Sequence, residues 1–419
     1  MRLLLLLFVL ALPVSRAAAA VPSGAAAVPS GAAETAHATV LLISMDGFRW
    51  DYLNLYPQAT PVLRRLAREG VTARGLVPVF PSNTFPNHYA IATGLYPSHH
   101  GIINNRMVDP QLGVFVSSKT QCAEDGRWWG GEPVWITAVK QGRTSACYFW
   151  PGSEAPIAGL HATHWKPYDY SIPFARRLDE LIGWLKVPAP QRPAVATFYF
   201  EESNSSGHRY GPDSPELQAT LKTLDAQLGT MLARFQAENL PINLVILSDH
   251  GMTPCGPDRV LLLDDYVDLT KVAVDFADTA CGLRPAPGVA PETILAALGR
   301  MPHAKAYRSA DLPARLHVDP ANPRVPGIWI LPDEGWLVQR RAAFAAARNH
   351  FVKAQHGYDP ALPSMHGILI AHGPAFRRGV TLPEVENVHV YNLLCAAAGL
   401  KPAANDGDDR LVKSALLAP

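Results

Sequence analysis

Asp46, His208, Asp249, His250 and His356 are side-chain types that bind a borderline divalent ion such as zinc. Their settings repeat. Asp46 follows the apolar run TVLLISM, and Asp249-His250-Gly251 follows INLVIL and Ser248. Asn204 and His208 sit in EESNSSGH, after ATFYF. Thr84 precedes Phe85-Pro86-Asn87-His88. At a helix start its hydroxyl would lie beside backbone N–H groups and the positive helix end, which favour an anion. A metal on that hydroxyl would lower its pKa and supply a nucleophile at neutral pH. Spacing leaves plainer readings open. A strand-end Asp often caps a helix, and a threonine before a helix is a common N-cap. No compact metal motif of the HExxH kind occurs.

The elements that must position these residues are legible as periodicity. Residues 39–45 read as a buried parallel strand, as do 196–200 and 242–247. Thr60, Pro61 and VLRRLAREG read as an N-cap, Pro at N1 and a helix stopped by Gly70. Residues 82–94 read as a loop feeding a helix that starts near Pro86. Residues 213–238 form a long helix pattern, with Leu217, Leu221, Leu224, Leu228, Leu232 and Phe235 at steps of three and four. Alternating strands and helices imply an α/β fold, a mostly parallel central sheet with helices on both faces. Ligands of such folds sit beyond the carboxyl ends of the strands. Asp46, Asn204 and Asp249 all fall there. Residues 130–186 and 264–332 are weakly periodic and read as surface insertions.

Composition bounds the alternatives. The chain has 419 residues, 48% of them hydrophobic and 17% charged. Its 37 Lys and Arg nearly balance 36 Asp and Glu, for a net charge of +1. That balance argues against a stable nucleic-acid complex and against a polybasic membrane binder. Residues 1–20 read as a signal peptide, whose apolar stretch is shorter than the roughly 20 residues that span a bilayer. Residues 21–36 repeat VPSGAA and read as a flexible linker, and residues 37–419 as one catalytic domain. The expected product is exported, periplasmic or secreted, with no membrane span in the mature chain, and monomeric. Export permits disulfides, so Cys122–Cys147 and Cys255–Cys281 are expected local bridges. Cys395 lies in an apolar run and reads as a buried free thiol.

The strings LLISMDGFRWDYL, FPSNTFPNHYAIATGLYPSHHGI, WWGGEPVW, ILSDHGM and HGYDPALPSM, with FYFEES and SGH between them, resemble the nucleotide pyrophosphatase/phosphodiesterase family of the alkaline phosphatase superfamily. The resemblance runs over residues 38–408. It implies an alkaline-phosphatase-like fold, two Zn²⁺ ions, a threonine nucleophile, and hydrolysis of phosphodiester or pyrophosphate bonds that releases nucleoside 5′-monophosphates. Carried over position by position, it places one zinc on Asp46, Thr84, Asp249 and His250. The other falls to Asn204, His208 and His356. Thr84 becomes the nucleophile that forms a phosphothreonine. Asn105 becomes a donor to a non-bridging phosphate oxygen, and a neutral amide there suits a singly charged diester. Phe85 and Tyr199 match positions that sandwich a nucleobase. His366, in SMHGI, is not at a ligand position.

One residue departs from the family pattern. Asn204 stands where the family carries Asp. With Asp, three carboxylates and an ionised Thr84 balance two Zn²⁺; with Asn204 one positive charge is uncompensated. The resemblance therefore implies a weakened second zinc site, slower hydrolysis of the intermediate, or both. Two alternatives to a nucleotide phosphodiesterase follow: a phosphomonoester or phospholipid-diester hydrolase of the superfamily, and a catalytically crippled nucleotide-binding paralogue.

Overall fold

The seven residues of strand β1 (Thr39–Met45) are all buried, which is why the segment reads as a continuous apolar run. Alternate side chains serve different layers. Val40 and Leu42 join one apolar cluster, while Leu41, Ile43 and Met45 join another. A sheet buried on both faces follows from that division. The coordinates, a computed structural model, describe residues 38–347 and 350–417. The signal peptide and linker expected over 1–36 lie outside the described residues.

The numbered strands are β1, β2 (Val71–Ala73), β3 (Ser145–Tyr148), β4 (His164–Lys166), β5 (Val195–Phe200), β6 (Ile242–Leu247), β7 (Val272–Ala277), β8 (Cys281–Pro285), β9 (Ala304–Arg308), β10 (Ile328–Pro332), β11 (Leu369–His372) and β12 (Val380–Leu382). The numbered helices are α1 (Pro61–Glu69), α2 (Thr84–Thr93), α3 (Val134–Lys140), α4 (Phe174–Leu185), α5 (Glu202–Tyr210), α6 (Pro215–Ala237) and α7 (Val390–Ala397). The central sheet has eight strands in the order β12-β2-β11-β6-β1-β5-β3-β4. Strands β6, β1, β5, β3 and β4 run parallel, and β11 is antiparallel to β6 and β2. Helices α2, α3 and α7 cover one face; α1, α4 and α6 cover the other. Among the described residues, no helix is long and apolar enough to cross a membrane.

Three sequence expectations change. Helix α2 begins at Thr84, not near Pro86. A proline in the first turn is tolerated because the first N–H groups have no intrahelical partner. Residues 130–186 supply β3 and β4 to the central sheet and so are no mere surface insertion. Residues 264–332 do stand apart, as an antiparallel sheet of order β7-β8-β10-β9 over its own apolar cluster. The expected disulfides are absent: all five cysteines are free. Cys255 packs with Leu337 and Tyr358, whereas Cys281 lies in the separate cluster beneath β8 and β10. Burial pushes the Cys147, Cys255 and Cys395 thiols up to about 12, so they are unreactive near neutrality.

Candidate active site

Three neighbouring parallel strands end together and carry the ligand candidates. The register pairs Met45 with Phe200 and Ser44 with Leu247. Asp46 therefore emerges beside the start of α5 and beside Asp249 and His250. The loops are tied: Ser248 Oγ accepts from Phe48 N (2.9 Å) and donates to His250 O (2.6 Å), and Gly47 N donates to Asp249 Oδ1 (3.3 Å).

Helix α5 was not foreseen. Its ESNSSGHRY has poor helix propensity, so tertiary contacts hold it. Ser203 Oγ donates to the Asp46 carbonyl (2.6 Å), and Thr220 of α6 donates to Ser206 (3.1 Å). The helix sets Asn204 and His208 four residues apart on one face.

Thr84 is the first residue of α2, and its Oγ1 lies 3.2 Å from His250 Nε2. His208, His250 and His356 share one arrangement. Each Nδ1 contacts a backbone carbonyl: Ala354 at 2.9 Å, Gly251 at 2.8 Å and Ser82 at 3.0 Å. A carbonyl only accepts, so Nδ1 carries the proton and in His208 and His356 Nε2 keeps a lone pair; burial lowers His250, but the Asp249 carboxylate 3.0 Å from its Nε2 outweighs that and raises it. The His250 and His356 rings stack with centroids 3.6 Å apart, and those of His208 and His356 lie 5.0 Å apart.

This donor set fits divalent metal. Among the described residues Asp46 Oδ1 and Asn204 Oδ1 are buried without a hydrogen-bond partner, and Asp249 Oδ2 is buried against the His250 and His88 ring nitrogens at 3.0 and 3.2 Å. Leaving a buried acceptor bare costs about 1–3 kcal/mol, more for a charged one; a cation removes that cost. Burial, then the charge of Asp249, pushes the Asp46 carboxyl up to about 7. Burial acts on Asp249 in the same direction, but the His250 and His88 rings hold it well below its usual range. Burial lowers His208, and burial with the neighbouring His250 and His208 rings lowers His356 far below its ordinary value. Both rings are thus neutral ligands at pH 7.

His88, which the sequence reading missed, offers a ligand atom within 4.8 Å of those of Asp46 and Asp249. Both of its nitrogens are already engaged. Nε2 lies 2.8 Å from Ser44 Oγ, and Nδ1 lies 2.9 Å from Thr84 O and 3.2 Å from Asp249 Oδ2. It orients Asp249 and the first turn of α2. Its signal was its place one helical turn after Thr84.

Asn105 Oδ1 accepts from Phe85 N (2.9 Å), capping a free donor of α2 and leaving its own Nδ2 as a donor. A cavity of about 380 Å³ lined by Phe85, Trp150, Tyr168, Tyr199, Glu154 and Glu201 begins at that turn. Tyr199 lies in its wall, but its hydroxyl donates to Asp46 Oδ2 (2.6 Å) and its ring meets His88 edge-on. Tyr168, 47% exposed, lies in a stretch read as an insertion and presents more ring to the cavity. His366 is engaged elsewhere, with Nε2 3.0 Å from Pro360 O.

A second cavity, about 350 Å³, is lined by Asn105, Arg106, His208, Asp278 and His356. Burial pushes the Asp278 carboxyl up to about 7, against one hydrogen bond from Gln355 (3.0 Å). The folded chain thus keeps a proton there that the unfolded chain loses near pH 4. Its stabilising contribution is complete below about pH 4 and is lost as pH rises to about 7. Asp278→Asn should match the native Tm near pH 4 and exceed it at pH 8. A Tm difference independent of pH would contradict this.

The chain matches the family described as Type I phosphodiesterase / nucleotide pyrophosphatase over residues 40–359. It is 38% identical over 385 residues to the venom phosphodiesterase CdcPDE of Crotalus durissus collilineatus, covering 88% of this chain and 45% of that protein. It is 35% identical over 381 residues to ectonucleotide pyrophosphatase/phosphodiesterase family member 1 of Homo sapiens, covering 88% and 40%. The chain spans about half the length of the curated relatives it matches. Murine ectonucleotide pyrophosphatase/phosphodiesterase 5 superposes with a TM-score of 0.84 at 34% identity, over 90% of this chain and 100% of that one. An inactive variant of that murine protein, with a threonine replaced by alanine, was solved in complex with AMP; it matches with a TM-score of 0.84 at 33% identity, over 91% and 100%. A match over residues 40–359, which carry every candidate ligand, makes this chain a member of the type I phosphodiesterase / nucleotide pyrophosphatase family.

Proposed function

We propose that this chain is an exported two-zinc phosphodiesterase/nucleotide pyrophosphatase that hydrolyses phosphodiester or pyrophosphate bonds and releases nucleoside 5′-monophosphates. The observation that carries the reading is Thr84. Its hydroxyl opens α2 3.2 Å from His250 Nε2, which in turn lies 3.5 Å from Asp46 Oδ1 and 3.0 Å from Asp249 Oδ2, and the next residue, Phe85, lines the aromatic cavity. Asp46, Thr84, Asp249 and His250 would hold one zinc; Asn204, His208 and His356 would hold the other. Bound there, the two ions would draw the proton from the Thr84 hydroxyl and offset charge on the attacking and leaving oxygens. Thr84 Oγ1 attacks phosphorus, and the bond to the leaving group breaks in line. Water then cleaves the phosphothreonine and frees the monophosphate. Asn105 Nδ2 binds a non-bridging oxygen, and a neutral donor favours a diester over a doubly charged monoester. Relatives named for venom and as ectonucleotide enzymes support export and a nucleotide substrate, and the AMP complex of the murine relative supports the latter.

The test is hydrolysis of a chromogenic nucleoside 5′-monophosphate diester with zinc supplied, beside a chromogenic phosphomonoester. The diester should turn over faster; a preference for the monoester would sink the reading. Phe85 and Tyr168 would clasp the base above Tyr199. Base–aromatic stacking contributes about 1–3 kcal/mol, so Phe85→Ala should raise KM about tenfold for the nucleotide diester. KM for a diester without a base should stay unchanged, and equal losses on both substrates would reassign Phe85 to packing.

A further inference from the structure

We infer that the two metal positions of this chain are unequal: the position of Asp46, Thr84, Asp249 and His250 holds its ion tightly, and that of Asn204, His208 and His356 is a weak, exchangeable site. The inference rests on the two-zinc reading above. Its basis is the donor atoms themselves. The first position combines two buried carboxylates, Asp46 with a bare Oδ1 and Asp249 with Oδ2 beside His250, and a hydroxyl that would ionise on metal. The second offers two imidazoles, each with Nδ1 on a backbone carbonyl and Nε2 left as the ligand atom, and an amide. Three neutral donors leave the full double charge of the ion uncompensated in a buried site, which is costly.

Asn204 nevertheless keeps an amide oxygen free to ligate. Its Oδ1 is buried and unpartnered. Gly47, at φ +68, brings the loop after β1 so close that a Cβ there would sit 2.9 Å from Asn204 Cα and 3.1 Å from Oδ1. The amide is thus held against the site by backbone on one side and by α5 on the other. An amide oxygen serves hard cations well and zinc less well than a carboxylate. Removal of groups that only orient a ligand weakens metal binding by about 10–100-fold, so replacing a ligating carboxylate should separate the two affinities by at least that factor.

The test counts metal. Full-length native protein and Asn204→Asp are equilibrated against a graded series of buffered free zinc, and zinc per chain is measured by mass spectrometry of the digested metal. The native protein should fill in two steps at least about tenfold apart. In Asn204→Asp the upper step should move toward the lower. A single step in the native protein, or an upper step that Asn204→Asp leaves in place, would overturn the inference. Should Asn204→Asp misfold, His208→Ala takes its place: it should erase the weak step and spare the tight one, and loss of the tight step would refute the assignment. Zinc counting does not depend on turnover. Two unequal steps without diester hydrolysis would therefore overturn the functional reading alone.

Discussion

Thr84→Ala should lower kcat for the nucleotide diester by about 10⁴-fold or more, because no other hydroxyl replaces a lost nucleophile. Product binding should survive. The side chain of Thr84 is 8% exposed, and its hydroxyl contacts only His250 Nε2. The first turn of α2 is held by other groups: Asn105 on Phe85 N, Asn87 Oδ1 on Val79 N, and His88 on the Thr84 carbonyl. Alanine is also a good helix former at that position. Thr84→Ala should therefore bind a nucleoside 5′-monophosphate within a few-fold of the native Kd by calorimetry, while Thr84→Ser keeps measurable turnover. Retention of more than a hundredth of native kcat in the alanine variant would remove Thr84 from the nucleophile's place.

The centre of the fold could be read from the sequence because buried parallel strands announce themselves. Thr39–Met45 and Ile242–Leu247 are apolar runs bounded by Asp46 and Ser248-Asp249, and α6 repeats leucines from Leu217 to Leu232. What the sequence hid was held by tertiary contacts. Strands β3 and β4 are three or four residues long; β3 needs β5 beside it, and β4 needs β3. Helix α5 contradicts its own propensities and depends on Ser203 and Ser206. The candidate metal ligands could be placed by type and by strand ends, since coordination chemistry limits the choice. His88 and Tyr168 could not, because one acts through hydrogen bonds to Ser44 and Thr84 and the other sits in a stretch without a pattern. The Cys255–Cys281 pairing failed for a related reason: sequence separation says nothing about which apolar cluster each thiol enters.

Asp249→Asn, nearly isosteric, should reduce turnover by at least about 100-fold, since it touches a ligand rather than a group that orients one. The larger diagnostic is thermal. A ligand at a thousand times its Kd adds about 4 kcal/mol of stability, so saturating zinc should raise the native Tm by several degrees. The variant should lose most of that rise. Without metal the comparison reverses its emphasis. The folded chain holds the Asp249 carboxyl well below its ordinary range, because the neighbouring His250 and His88 rings outweigh burial. Such a group stabilises the fold above the unfolded pKa of about 4 and loses that contribution as pH falls. The variant lacks it. Its Oδ1 can still accept from Gly47 N, but its new NH₂ would face His88 Nδ1 and His250 Nε2, which lie 3.2 Å and 3.0 Å from the native Oδ2. The metal-free Tm gap between native and variant should therefore be widest at neutral pH and should narrow below about pH 4. A variant that kept the full zinc-induced rise would show that Asp249 serves only to pair with the two histidines.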